Sequence, residues 1–185
     1  MSILQSGPLT VRPLNENDAV LLVRWLSDSR VLQYYEGRDR PHDMALVQEH
    51  FYEYVEDEGV TRCIIEYDGQ AVGYIQFYLV VEEEREEYGY DGFNGSVYGM
   101  DQFIGEVGCW NKGIGTRLIN EMVRYLIRER KADAIVMDPQ AWNERAIHVY
   151  EKCGFVKKKL LPKHEWHEGE KRDCWLMEYK GLAET

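Results

Sequence analysis

The sequence predicts a mixed α/β fold in which helices cover both faces of a β-sheet. Three observations support this prediction. The length of 185 residues suits one domain with a hydrophobic core. Hydrophobic residues make up 44% of the chain and charged residues 30%, which is typical of globular proteins. Strand-like and helix-like segments alternate without a repeat or a linker, so we expect a single domain over 1–185.

The first half of the chain predicts a strand, two helices and a pair of strands. Alternating apolar residues indicate strands, whereas apolar residues spaced three to five positions apart indicate helices. In chain order we expect a strand over 9–14, a helix after Asn15 with apolar positions Leu21, Leu22, Trp25 and Leu26, a helix over 44–56, and strands over 63–67 and 70–80 joined by a tight turn at Asp68-Gly69.

The second half begins with five glutamates and one arginine at 82–87, which we interpret as a solvated loop. Strands are expected over 97–104 and 134–137. The helix between them has two apolar rows on one face, made by Leu118, Ile119, Met122, Val123, Leu126 and Ile127. A short helix over 143–153 should end at Gly154, and strands from Phe155 onward and over 174–179 close the sheet.

Charge and composition narrow the class of protein. Lys and Arg number 22 against 33 Asp and Glu, so the net charge of −11 excludes nucleic acid as a plausible partner and favours polycations. No membrane span or secretory signal is visible, so we expect a cytoplasmic protein, either a monomer or a homodimer, that does not bind membranes. The four cysteines lack a CxxC pair, and the histidines of the segment HEWHE lack the spacing of a helical zinc pair, so no metal is expected.

The segment WNKGIGT, at 110–116, lies between a strand and a helix. Its two glycines allow a ligand to approach the backbone, and the first N–H groups of the helix form an anion site. Lys112 and Arg117 add positive charge there. A helix entry that merely contains glycines is the alternative.

A second segment, NERAIHVYEKCGF at 143–155, follows about 30 residues later. Together the two segments resemble the pyrophosphate loop and the N-x-x-A-x-x-x-Y-x-x-x-G-F signature of the GNAT acetyltransferases. The resemblance implies a mostly antiparallel GNAT sheet and acetyl-CoA as cosubstrate. It departs from the family pattern at Trp110, where many members carry Arg or Gln.

The resemblance also implies roles for individual residues. The cofactor-binding residues would be those that hold the pyrophosphate, the pantetheine arm or the thioester: Lys112, Gly113, Ile114, Gly115, Thr116 and Arg117, then Phe103, Ile104 and Gly105, then Asn143, Ala146 and Tyr150. Tyr150 would protonate the departing thiolate, unless it is a core tyrosine. Asp101 would orient the acceptor ammonium and take its proton, unless it holds a turn.

Most of the chain further resembles aminoglycoside 6′-N-acetyltransferases, in the stretches at 25–26, 34–39, 73–78, 98–106, 138–140 and 167–179. The last two are most similar to the acetyltransferase half of the bifunctional acetyltransferase–phosphotransferase enzyme. Carboxylates and aromatic rings suit a polycationic sugar acceptor. The candidate acceptor-binding residues are Tyr35, Gln76, Tyr98, Asp101, Asp138 and Glu168, with Glu36 and Trp166 as further candidates. A turn-forming role is the alternative for Asp138.

Two other functions remain open at this stage. One is a GNAT enzyme that acetylates a siderophore precursor, a polyamine or another small amine. The other is a CoA-binding module without catalysis, although a module of this kind does not need Tyr150, Asn143 and Asp101 together.

Overall fold

A computed structural model describes residues 1–53 and 59–181. In that part of the chain, eight strands form one sheet in the order β1-β2-β3-β4-β5-β6-β8-β7. The strands are β1 (Leu4–Ser6), β2 (Leu9–Pro13), β3 (Val60–Tyr67), β4 (Gln70–Leu79), β5 (Val97–Ile104), β6 (Ala134–Met137), β7 (Phe155–His167) and β8 (Glu170–Tyr179). The α-helices are α1 (Ala19–Trp25), α2 (Ser29–Leu32), α3 (Met44–Gln48), α4 (Glu82–Tyr88), α5 (Ile114–Glu129) and α6 (Glu144–Lys152).

The sheet is mixed. Strand β2 pairs antiparallel with both β1 and β3, and β6 pairs antiparallel with β8. Strands β5 and β6 are parallel, with Tyr98 opposite Ile135. No helix in the described part of the chain combines the length and apolar character needed to cross a membrane.

The chain folds into two compact units, and β4 and β5 each contribute to both. The first unit comprises Met1–Gln76, Asp101–Ile114 and His167–Gly169. Its core is built by the apolar face of α1 and by aromatic residues from β4 and β5, and its most deeply buried members include Leu22, Trp25, Leu26, Ile64 and Tyr74. This packing holds the end of β5 in place.

The second unit comprises Phe77–Met100, Gly115–Trp166 and Glu170–Thr185. Five of the six predicted apolar positions of α5 are buried, namely Leu118, Ile119, Met122, Val123 and Leu126. The sixth, Ile127, is 43% exposed, because the second apolar row turns toward solvent at the end of the helix. A further core cluster joins Tyr88 of α4 to Val97, Val136 and Leu176 of the sheet.

The structure confirms most predicted elements. A two-residue turn at Asp68-Gly69 joins β3 to β4, and α6 begins after its cap Asn143. The helix predicted over 44–56 is present as α3 followed by a π-helical turn at Glu49–Glu53, while residues 54–56 lie outside the described residues.

The interpretation of 82–87 as a loop is wrong, because these residues form most of α4. Three glutamates occupy its first turn, where negative charge stabilises a helix, and Gly89 is its C-cap. Tyr88 anchors the helix as a buried residue. Strand β1 and helix α2 were not predicted, because each is too short to show a hydrophobic period.

Candidate active site

The end of β5 is fixed by hydrogen bonds and close packing in the first unit. The backbone N–H of Gly105 donates to the Val72 carbonyl over 2.8 Å. A Cβ atom at Gly105 would lie 2.2 Å from the Trp25 ring, so only glycine fits there. Trp110 donates its indole N–H to the Ile104 carbonyl over 2.8 Å. Trp110, the residue at which the chain departs from the expected motif, therefore supports the strand.

Asp101 lies on β5 as part of a hydrogen-bonded series. The Gln76 amide donates to Oδ2 of Asp101 over 3.0 Å, and the Tyr74 hydroxyl donates to Oε1 of Gln76 over 2.7 Å. Burial raises the pKa of Tyr74, so its hydroxyl keeps its proton and remains a donor. Gln76 was predicted to bind the acceptor, and in this structure its amide donates to the Asp101 carboxylate and orients it.

Aromatic rings surround Phe103, the first of the three strand-end residues predicted to bind the cofactor. The Tyr35 ring lies 4.5 Å from the Phe103 ring, centroid to centroid, and Tyr74 stacks on Phe103 at 5.7 Å. Tyr35 is half-buried, whereas Phe103 is buried. The structure thus brings Tyr35, Gln76, Asp101 and Phe103 together in the first unit.

The predicted anion loop leads into α5, which begins at Ile114 and has 16 residues. Gly113 has a φ of 77°, a left-handed conformation that favours glycine and turns the chain into the helix. A Cβ atom at Gly115 would meet no other atom within 4 Å. Gly115 is therefore not required by packing, and an approaching ligand would explain a glycine at this position.

Helix α6 places Asn143, Ala146 and Tyr150 in the second unit. Oδ1 of Asn143 accepts a hydrogen bond from the Ala146 backbone N–H over 3.2 Å. Asn143, which was predicted to bind the pantetheine arm, is therefore also the N-cap of the helix. Tyr150 is 9% exposed, and its ring lies 6.2 Å from that of Phe155. At the other end of the helix, the Cys153 thiol contacts the Thr116 carbonyl over 3.5 Å. Burial raises the pKa of Cys153 to about 11, so this thiol stays neutral and is a poor nucleophile.

Asp138 follows β6 and accepts two hydrogen bonds in the second unit. The Tyr88 hydroxyl donates to Oδ2 of Asp138 over 2.9 Å, and His164 Nε2 lies 3.1 Å from the same oxygen. His164 Nδ1 lies 3.0 Å from the Glu87 carboxylate. The hydrogen bond to Asp138 is the main cause that raises the pKa of His164 to about 9. His164 is therefore an imidazolium at pH 7 that bridges two carboxylates.

In the first unit, Glu168 forms a salt bridge with Arg38. The Arg38 guanidinium contacts both carboxylate oxygens, over 2.5 and 2.8 Å, and the Arg38 backbone N–H donates over 3.1 Å. These bonds lower the pKa of Glu168 to about 2. Glu168 was predicted to pair with an acceptor amine, and here it holds the loop that follows Tyr35.

The two other aromatic residues that were predicted to contact the acceptor lie in the second unit. Tyr98 is half-buried on β5, and Trp166 is 66% exposed, with the Lys171 ammonium 5.7 Å from its ring. Sequence reasoning missed His164, Tyr74 and Arg38, which hold predicted carboxylates or their partners. The only available signal for His164 was its place in a segment rich in acidic residues.

The match to known families decides the class of the protein. A family model described as an acetyltransferase (GNAT) domain matches residues 15–162. The chain belongs to the GNAT acetyltransferase family. The eight-stranded mixed sheet is thus the sheet of a GNAT fold.

Among its curated GNAT relatives is an aminoglycoside N(6′)-acetyltransferase type 1 of Klebsiella pneumoniae. It is 31% identical over 157 residues, which cover 80% of this chain and 74% of the relative. The same enzyme name and the same values apply to a relative from Serratia marcescens.

Solved structures agree with this placement. The structure of AAC(6′)-Ib in complex with ribostamycin and coenzyme A has a TM-score of 0.77 and 27% identity, and the match covers 94% of this chain and 93% of that one. A spermidine N-acetyltransferase from Vibrio cholerae, in complex with CoA and spermine, has a TM-score of 0.73 over 94% of this chain. At 19% identity, that likeness shows the fold alone.

Proposed function

We propose that this protein transfers the acetyl group of acetyl-CoA to the 6′-amino group of an aminoglycoside. The observation that carries the proposal is the 31% identity, over 80% of the chain, to aminoglycoside N(6′)-acetyltransferases. An acetylation assay with an aminoglycoside tests the proposal directly.

The chemistry of the described residues supports a polycationic acceptor. The protein has a net charge of −11, so it attracts a molecule that carries several ammonium groups. In the first unit, Asp101 presents a carboxylate that Gln76 orients, and Tyr35 presents a ring that suits a sugar face. Because the carboxylate is already oriented, the binding of a cation does not include the free-energy cost of ordering that side chain.

The cosubstrate proposal rests on the loop and on the solved relatives. AAC(6′)-Ib has been solved with coenzyme A and with acetyl-CoA. In this chain the backbone N–H groups at the start of α5, together with Lys112 and Arg117, would hold the pyrophosphate. Phe103, Ile104 and Gly105 would contact the pantetheine arm, with Asn143 and Ala146 on α6 completing the cofactor-binding residues.

The proposed reaction is a direct transfer within a ternary complex. The amine nitrogen attacks the thioester carbonyl carbon, the carbon–sulfur bond breaks, and CoA leaves as a thiolate. Asp101 takes the proton from the acceptor nitrogen, directly or through water, while Tyr150 donates a proton to the thiolate. The raised pKa values of Cys153 and Cys174, caused by burial, argue against an acyl-cysteine intermediate at either residue.

Replacing Asp101 tests the acceptor role. Asp101→Asn keeps the shape of the side chain but removes its charge and its ability to accept a proton. We expect kcat/KM for kanamycin to fall by well over about tenfold, because breaking a desolvated ion pair costs several kcal/mol. Acetyl-CoA binding, measured by calorimetry, should change little.

The control is Asp91→Asn, which removes the same charge from an exposed aspartate. Wild-type acetyl-CoA consumption is measured in parallel with kanamycin, spermidine and a hydroxylamine siderophore precursor. Normal kanamycin acetylation by Asp101→Asn would remove Asp101 from the mechanism. A wild type that ignores kanamycin and acetylates spermidine would overturn the acceptor proposal.

A further inference from the structure

In the first unit, three side chains that take no part in the proposed acetyl-transfer steps lie close together. Glu36 lies in the loop after α2, His42 lies before α3, and His50 lies in the π-helical turn at Glu49–Glu53. One side-chain atom from each lies within 4.8 Å of the other two. A π-helical turn is rare and often accompanies a functional site.

The orientation of His42 is fixed by its backbone partner. His42 is fully buried, and its Nδ1 lies 2.8 Å from the Arg40 carbonyl oxygen. A carbonyl can only accept, so Nδ1 carries the proton, and in the neutral ring Nε2 has a lone pair. That lone pair faces His50, because the two nitrogens, His42 Nε2 and His50 Nδ1, lie 3.0 Å apart. A histidine held through its second nitrogen by a carbonyl is typical of metal ligands.

The spacing of the two nitrogens suits a metal ion. Two nitrogens bound to one tetrahedral zinc ion at about 2.0–2.1 Å lie roughly 3.3–3.4 Å apart. The two imidazoles need to separate by only about 0.3–0.4 Å to reach that spacing. Glu36 supplies a carboxylate oxygen, so two histidines and one acid form a donor set that divalent transition metals favour.

We propose that Glu36, His42 and His50 bind one divalent transition-metal ion of the Zn²⁺ class. Three protein ligands leave a fourth position for water. The side chain of Glu36 is 27% exposed and His50 is half-buried, so an ion can reach the cluster from solvent. The guanidinium of Arg40 lies 4.0 Å from the Glu36 carboxylate. On binding, the metal ion would replace this guanidinium as the positive partner of the carboxylate.

The bound ion would connect three separate stretches of the first unit. Glu36 has a φ of 71°, a left-handed conformation that is uncommon outside glycine, and a metal bond would compensate its cost. Because Glu36 adjoins Tyr35, the ion would also fix the loop that carries this proposed acceptor contact. The site does not depend on the proposed reaction.

Titration of the 185-residue protein with ZnCl₂ tests the proposal. After treatment with a chelator, calorimetry should show one saturable site, and zinc should raise the unfolding temperature. CoCl₂ provides a second probe, since cobalt in a site with three protein ligands gives visible absorption bands that report its geometry.

The variants are His50→Gln and Glu36→Gln, which change partly exposed side chains and leave buried His42 intact. Each should weaken zinc binding by about 10- to 100-fold or more, because even supporting residues of metal sites have effects of that size. His148→Gln, which removes an exposed histidine of α6, should bind zinc like the wild type.

Two outcomes would overturn the proposal. One is the absence of saturable zinc binding by the folded wild type, which would leave the two imidazoles as a hydrogen-bonded pair only. The other is binding that survives either His50→Gln or Glu36→Gln, which would place the ion elsewhere. Kinetic activity is not a readout, so failure here is separate from failure of the acetyl-transfer proposal.

Discussion

Each carboxylate proposed to meet the acceptor already has a polar partner on the protein. Asp101 is oriented by Gln76, Asp138 by Tyr88 and His164, and Glu168 by Arg38. An arriving ammonium would have to compete with His164 at Asp138 and with Arg38 at Glu168.

The proton-donor role of Tyr150 can be tested at the level of one atom. Tyr150→Phe removes only the hydroxyl from a residue that is 9% exposed, so the packing of α6 should survive. We expect kcat to fall by roughly 10- to 1000-fold, with acetyl-CoA affinity retained, because a positioned acid contributes about that much.

The measurement is a single-turnover reaction at saturating substrates, which isolates the chemical step. Tyr125→Phe is the control, since it removes a hydroxyl from α5 that contacts Arg130. Unchanged single-turnover rates in Tyr150→Phe would leave this residue with a packing role.

We expect His164 to make the stability of the protein depend on pH. Its pKa is raised from the ordinary value of 6.5 to about 9, so its contribution is fully present below pH 6.5 and is lost as the pH rises through 9. The acidic groups that face it are Glu87 and Asp138, with Glu84 nearby on α4. We expect the free energy of unfolding to drop by about 1–2 kcal/mol over this range, since solvent screening reduces the effect at a half-buried site.

Urea denaturation at intervals between pH 6 and about pH 9.5 measures this dependence. In His164→Gln the drop should disappear and stability at pH 7 should be lower, because Glu87 and Asp138 lose their shared cation. His148→Gln should retain the wild-type dependence. A pH profile that is the same in His164→Gln and the wild type would contradict the assignment.

The sequence could nominate residues for the proposed site, but not the side chains that contact them. Asp101, Tyr150 and Asn143 are visible because they lie in short motifs with fixed spacing. Arg38 and Glu168 lie 130 positions apart, and no local pattern links residues at that distance. The role of His164 depends in the same way on the fold, which brings it to residues from α4 and the end of β6.

A helix or strand could be predicted from the sequence where its apolar residues recur with a clear period. Helix α5 and the pair β3–β4 were predicted because burial imposes a clear pattern on them. Helix α4 was missed because six of its seven residues are charged, and its only buried residue is Tyr88. Such a helix is stabilised by its negatively charged first turn, its C-cap and one buried side chain. These features produce no hydrophobic period in the sequence.

The entry of α5 offers a test of the cosubstrate. Gly115→Val adds a branched side chain where a Cβ atom would meet no protein atom, so folding should be unaffected. The added methyl groups would keep a pyrophosphate from the backbone N–H groups of the first turn. We therefore expect the affinity for acetyl-CoA to fall by at least about tenfold, which is about 1.4 kcal/mol.

Calorimetric titration with acetyl-CoA measures the affinity, and the unfolding midpoint verifies the fold. Gly108→Val is the matched control, since Gly108 also has open space around its Cβ position but lies outside the 112–117 loop. If Gly115→Val and Gly108→Val bind acetyl-CoA equally well, the loop does not hold the pyrophosphate.

At the scale of the whole molecule, family membership and the eight-stranded mixed sheet agree with the fold class that the sequence predicts. The extent of a single domain over 1–185 stays a prediction, as do the oligomeric state and the cytoplasmic location. The sequence could indicate the fold class because the alternation of elements is a property of the whole chain. The division into two compact units has no counterpart in composition, since β4 and β5 belong to both.

The net charge of −11 leads to a prediction about the whole molecule. An acidic protein draws a polycation from solution, and salt screens this attraction over a Debye length of about 8–10 Å. We expect kcat/KM for kanamycin to fall as NaCl rises, and the slope should be smaller for an acceptor with a single amine. Helix α4 should contribute to this attraction, because Glu82, Glu83 and Glu86 are exposed.

The triple variant Glu82→Gln, Glu83→Gln, Glu86→Gln tests that contribution. At low salt it should raise the KM for kanamycin while leaving kcat unchanged, because these carboxylates attract the acceptor from a distance and take no part in the reaction. At high salt the variant and the wild type should converge, since screening removes the difference. Steady-state kinetics at several NaCl concentrations measures both effects. A KM difference that persists at high salt would instead indicate direct contact between α4 and the acceptor, and equal KM values at low salt would show that this helix does not attract it.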